Sequence, residues 1–82
     1  MRKPNGETRV YVQEDADVGH AELAVREMVT TLQLEGTETN QIIMAVVEMA
    51  KNYVQQARRG EIVLIPRQGG GIVGIDIRAQ EK

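Results

Sequence analysis

The sequence predicts an α+β domain in which two helices pack on one face of a small, mainly antiparallel sheet, in the order β-α-α-β-β. Three observations predict it. Apolar residues recur at helical spacing in two successive stretches. Segments of alternating or β-branched character flank those stretches, one before and two after. The chain has 82 residues, enough for one small domain, so all five elements must share one core.

The first strand is expected over 8–13, where Thr8, Val10 and Val12 alternate with Arg9, Tyr11 and Gln13, after a Pro/Gly-containing lead over 1–7. Asp15 and Asp17 then offer N-caps, because a carboxylate can accept the free N–H groups of a first helical turn. Val18, Ala21, Val25, Met28, Val29 and Leu32 predict a helix over 17–34. Gly36 suits its C-cap. Thr37 or Thr39 is expected to cap a second helix, with Glu38 near its positive end. Its core stripe is Ile43, Val46, Val47, Ala50, Tyr53, Val54 and Ala57, and Gly60 is expected to end it. The β-branched run over 61–65 predicts a strand stopped by Pro66. Gly69, Gly70 and Gly71 supply turn geometry. A last strand over 72–79 then places Ile75, Ile77 and Ala79 on one face and Asp76 and Arg78 on the other.

Composition narrows the function classes. There is no Cys, so neither a disulfide nor a thiolate metal site is available, and nothing points to an oxidising compartment. Phe and Trp are absent as well, leaving aliphatic residues to form the core. Ten Lys and Arg against twelve Asp and Glu give a net charge of −2, which argues against a general nucleic-acid binder. No apolar run approaches the roughly 20 residues that cross a bilayer. The N-terminus has a basic start without an apolar segment after it, unlike a signal peptide. A cytoplasmic protein is expected.

One helix face looks chemical. Glu48 and Asn52 lie four residues apart, about one turn, on the side opposite the core stripe of the second helix. Their neighbours there are Gln41, Met44, Ala45, Met49 and Gln55, whereas a solvated face usually mixes long charged side chains. A single carboxylate and a single amide among uncharged side chains suit a ligand or a partner. The same spacing also occurs on ordinary surface helices.

The run Met44-Ala45-Val46-Val47-Glu48-Met49-Ala50-Lys51-Asn52-Tyr53-Val54, with Ala57, Gly60-Glu61-Ile62 and a strand after it, resembles the N-box of the anti-sigma regulatory factors. These are bacterial serine/threonine protein kinases of sigma-factor partner switching, within the gyrase, heat-shock chaperone, histidine kinase and MutL ATPase superfamily. The acidic lead-in Glu14-Asp15-Ala16-Asp17-Val18 and the segment Ala24-Val25-Arg26 resemble the family's first helix, so the likeness runs from about Thr8 to Glu81. It implies that 8–82 is the front part of a histidine-kinase-like ATPase α/β sandwich that uses ATP and Mg²⁺.

By that resemblance Glu48 is the catalytic residue, orienting or deprotonating the attacking hydroxyl, and Asn52 ligates Mg²⁺ and so takes part in cofactor binding. A carboxylate suits the first role as a proton acceptor, and an amide oxygen suits a hard cation. Aligning the last strand with the family's puts Glu81 at the position of the Asp that binds the adenine amino group. The implied partners are an antagonist protein of anti-anti-sigma type, phosphorylated on a serine, and a sigma factor or phosphatase.

The departures are Val47, Met49, Lys51 and Gln56, together with the absence of the Gly-Pro-Gly turn, the lid and the Gly-rich phosphate turn that follow in the family. The 82 residues alone are therefore expected to bind neither ATP nor Mg²⁺ appreciably, to be inactive as a kinase, and to form a homodimer through an unpaired strand edge. A nucleotide-independent interaction module or an inactive structural fragment is the alternative reading.

The remaining candidates have simpler explanations. His20 is the only His and cannot build a metal site by itself. The glycine triplet is followed by no helix and no Lys-Ser/Thr, so it is a turn and not a phosphate loop. Arg58 and Arg59 are expected to complement the dipole at the end of the second helix.

Overall fold

The structure, a computed structural model, describes residues 6–82, so most of the lead assigned to 1–7 lies outside the described residues. The elements are β1 (Thr8–Val12), α1 (Asp15–Thr31), α2 (Thr37–Gln55), β2 (Gly60–Gly69) and β3 (Ile72–Glu81). The sheet is antiparallel throughout, in the order β1-β2-β3. The expected α+β class holds, with two helices and a three-stranded sheet.

Register decides which residues look at the helices. Val10 faces Ile62 and Val12 faces Gly60, while Ile77 faces Leu64 and Ala79 faces Ile62. Directly opposed residues share a face, so these positions line the inner side. There Val10, Val12, Ile62 and Leu64 meet Ala21, Val25, Met28 and Val29 of α1 and Ile43, Val46 and Ala50 of α2 in one core. Each large aliphatic so buried contributes about 1.5–3 kcal/mol.

The helix ends differ from the expectation. α1 begins at Asp15, two residues before the expected start, with Glu14 at the N-cap position. The Asp17 carboxylate folds back to accept the N–H groups of Gln13 at 2.9 Å and Glu14 at 3.0 Å. These two bonds hold its pKa below the ordinary aspartate value. Asp17 thus serves the helix start from inside the first turn.

α1 ends at Thr31 and not at residue 34. Gln33 takes a φ of +58°, and the N–H groups of Gln33 and Leu34 return to the carbonyls of Thr30 and Val29 at 3.1 and 3.0 Å. α2 ends in the same way. Ala57 has a φ of +55°, and the N–H groups of Ala57 and Arg58 reach Val54 and Tyr53 at 3.1 and 2.8 Å. Both are Schellman ends built on a non-glycine residue. Ala57 is therefore an exposed cap and not part of the core stripe.

The glycines expected to end the helices do other work. Gly36, with φ +93° and ψ −172°, is the N-cap of α2, a backbone shape suited to glycine. Neither Thr37 nor Thr39 caps this helix, and the Thr39 hydroxyl has no hydrogen-bond partner among the described residues. Gly60 is the first residue of β2, buried beneath the Tyr53 ring, which occupies the space a Cβ would need.

Pro66 does not stop β2, which continues to Gly69. Pairing with β1 ends at Leu64, so Pro66 sits where one side of the strand is open and a missing N–H costs no ladder bond. Gly70 and Gly71, at φ +59° and +82°, then make a two-residue turn with positive φ at both centres, which matches the twist of a hairpin. No helix among the described residues is long and apolar enough to cross a membrane.

Candidate functional site

The two α2 residues singled out by spacing, Glu48 and Asn52, are both exposed. The helix turns Ile43, Val46 and Ala50 into the core, and this burial holds the opposite face outward. Met44 on that face is exposed too, and Met49 is half-buried at its margin.

Asn52 lines a hollow of about 270 Å³ together with Met49, Tyr53, Gln56, Arg58 and Ala79. The hollow lies where the last turns of α2 meet the end of β3. Glu48, one turn earlier, is not among its lining residues, and neither is Glu81. Glu81 is exposed on β3, with Oε1 3.4 Å from Arg58 Nη1. The Lys82 N–H donates to the Arg59 carbonyl at 2.9 Å, so the end of β3 is tied to the α2–β2 connection. Arg58 therefore joins Asn52 and Glu81 at one corner of the molecule. It pairs with Glu81 instead of complementing the helix end, and the last turn of α2 contains no basic residue.

A single amide oxygen is a modest donor set. Among the described residues no group of three or more His, Cys, Asp or Glu could hold a metal ion. Mg²⁺ commonly takes only one or two protein oxygens and completes its shell with water and phosphate, so Asn52 fits as a contributing ligand and not as a complete site. The hollow lies just below the roughly 300–1,000 Å³ of small-molecule sites, room for part of a nucleotide. His20 is exposed, with Nδ1 3.1 Å from Asp17 Oδ1, and plays no part in this corner.

The most unusual side chain was not a candidate. Glu61 is 1% exposed, although it lies on the sheet face turned away from the helices. In register it stands between Tyr11 of β1 and Gln80 of β3. Gln80 Nε2 donates to Oε1 at 2.9 Å, Arg9 Nη1 donates to Oε2 at 3.3 Å, and Lys82 Nζ is 3.4 Å from Oε1. The bond from Gln80 comes first, with Tyr11, Arg9 and Lys82 adding to it against the cost of burial. Together they lower the Glu61 pKa from the ordinary 4.5 to about 2. Arg9 also bridges to Glu7 at 3.0 Å. On the same face, Glu7, Arg9, Val63, Ile65, Arg67 and Arg78 border a shallow depression of about 800 Å³.

Comparison of the chain with protein-family models, with curated proteins and with solved structures gave no match. The functional reading therefore rests on the resemblance of the sequence, on residue chemistry and on geometry.

Proposed function

We propose that the outward face of α2 is the N-box of an anti-sigma-type serine/threonine protein kinase, with this chain supplying the front part of its ATP-binding domain. The observation that carries the reading is the position of Asn52. It opens into the hollow between α2 and the end of β3, while Glu48 stands one turn away on the same rigid helix. A fixed i, i+4 relation sets a proton acceptor and a metal ligand at constant separation, as phosphoryl transfer requires.

In this reading ATP and Mg²⁺ supply the transferable phosphoryl group and neutralise its charge. The Asn52 side-chain oxygen would hold the cation as one of its ligands. Glu48 accepts the proton of a serine hydroxyl on an antagonist protein as the serine oxygen bonds to the γ-phosphorus and the bond to the β–γ bridging oxygen breaks, releasing ADP. Glu81, now paired with Arg58, would by the resemblance bind the adenine amino group. A sigma factor or phosphatase is the further partner the resemblance implies. A nucleotide-independent interaction module is the second reading, favoured by the free outer edge of β3, where Ile72 is 72% exposed.

The described residues place no glycine-rich phosphate turn beside Asn52, so binding by these 82 residues is expected to be weak, on the order of millimolar. Titration with ATP and Mg²⁺, followed by NMR, should shift the amides of Met49, Asn52 and Tyr53 at millimolar nucleotide. Asn52→Ala should remove the Mg²⁺-dependent part, and Glu48→Gln should leave it. Shifts confined to other elements would sink the proposal. A low-micromolar constant by calorimetry would show that the grip on nucleotide lies elsewhere in the chain.

A further inference from the structure

We propose that the outer edge of β3 is a self-recognition surface, and that two copies of the chain pair β3 to β3 antiparallel about a twofold axis centred on Ile77. β3 is ten residues long and among the described residues pairs only with β2, so its other side presents a row of backbone donors and acceptors. Such an edge readily adds a strand. The inference is independent of the nucleotide reading.

The side chains select the partner and the register. A twofold axis perpendicular to the sheet keeps paired residues on the same face, so the axis must pass through a residue. Centring on Asp76 would oppose two carboxylates, and centring on Arg78 would oppose two guanidinium groups. Like charges directly opposed are unfavourable. Centring on Ala79 would set Ile77 against Glu81 of the other copy. Centring on Ile75 would leave both Asp76 and Arg78 without a charged neighbour.

Centring on Ile77 opposes Asp76 to Arg78 of the second copy, and Arg78 to its Asp76. Ile77 then meets itself and Ile75 meets Ala79, all on the helix side of the sheet. This register uses the strand almost end to end and joins the two three-stranded sheets into one.

Charge complementarity strengthens the choice. Arg78 is exposed and makes no ion pair among the described residues. Asp76 is held by Arg67 of the neighbouring strand at 2.6 Å, and its carboxylate has lone pairs left for a second guanidinium. At the hairpin end, Ile72 comes to lie opposite Lys82 of the second copy, whose aliphatic stem can cover it.

The test is sedimentation equilibrium on the whole chain over roughly 10 μM to 1 mM. Wild type should approach twice the 9.1 kDa chain mass. Arg78→Asp and Asp76→Arg each turn both cross-strand attractions into repulsions, and each should weaken the dimer about tenfold or more. Mixed in equal amounts, the two variants should recover a heterodimer, because every opposed pair is again of opposite sign. Wild type remaining at the chain mass up to millimolar would overturn the proposal. So would variants that dimerise like wild type, a mixture that fails to recover, or growth into open-ended oligomers, which would mean β1 adding to β3.

Asp76→Arg also faces Arg67, so a measurement on wild type stands beside it. Amide exchange should slow at alternate β3 residues between Gly74 and Gln80 as concentration rises, with β1 unchanged. Slowing at β1 instead would reject the β3 edge.

Discussion

The two faces of β2 bury neighbouring residues by opposite physics. Ile62 and Leu64 are fully buried against both helices, where removal of apolar surface from water is the driving term. Glu61, one residue from Ile62, is almost as inaccessible on a face with no helix above it among the described residues. It is enclosed by long side chains of the flanking strands and tolerated there because its carboxylate is hydrogen-bonded and ion-paired. Val63 is buried on the same face, between Arg9 and Arg78 in register, whose stems can shelter it. The inner face is an ordinary core. The outer face is a sheet closed over by its own polar side chains, and its stability is tied to charge.

The largest effect is expected on the inner face. Ile62→Ala should cost about 2–5 kcal/mol through lost burial and a residual cavity. A domain of this size has only about 3–5 kcal/mol to lose, so the variant should be largely unfolded at 25 °C by circular dichroism. The loss should change little with pH, because Ile62 lies in the apolar core.

Gly60→Ala should come next, at about 1–3 kcal/mol, since its methyl group would occupy the space of the Tyr53 ring. Trimming the ring with Tyr53→Leu should lessen the penalty in a double-mutant cycle. Strict additivity would mean that the contact between them is not the cause.

Glu61→Gln should act most at neutral pH, where the carboxylate is ionised, and should carry the clearest pH signature. The folded-state pKa of about 2 lies below the ordinary 4.5, so the carboxylate contributes stability that is fully present above pH 4.5. That contribution falls as pH drops and is gone below about 2. The wild type should lose denaturant resistance across this window, and Glu61→Gln should lose less of it. Parallel acid limbs for the two proteins would remove the ionic account of the outer face.

The candidate site was only partly legible in the sequence. Spacing alone put Glu48 and Asn52 on one outward face of α2, because helical periodicity depends only on neighbours along the chain. The hollow beside Asn52 was not visible, because Ala79 approaches it from β3, a strand remote in sequence. Glu61 escaped notice for the same reason. Nothing in the run over 61–65 marks it locally, and its partners Arg9 and Gln80 lie 52 and 19 positions away.

By itself the sequence determined the five elements, their types and the inner apolar faces, since each is written in local period and turn chemistry. It also determined the Gly70-Gly71 turn, where glycine alone adopts both positive φ values at no steric cost. Tertiary structure decided where the elements end and which glycines matter. Leu34, packed against the core, helps draw Gln33 into the left-handed cap of α1. Tyr53 needs Gly60 beneath it, and the short reach of β1 lets β2 run through Pro66. These outcomes depend on contacts between distant residues, which no local pattern records.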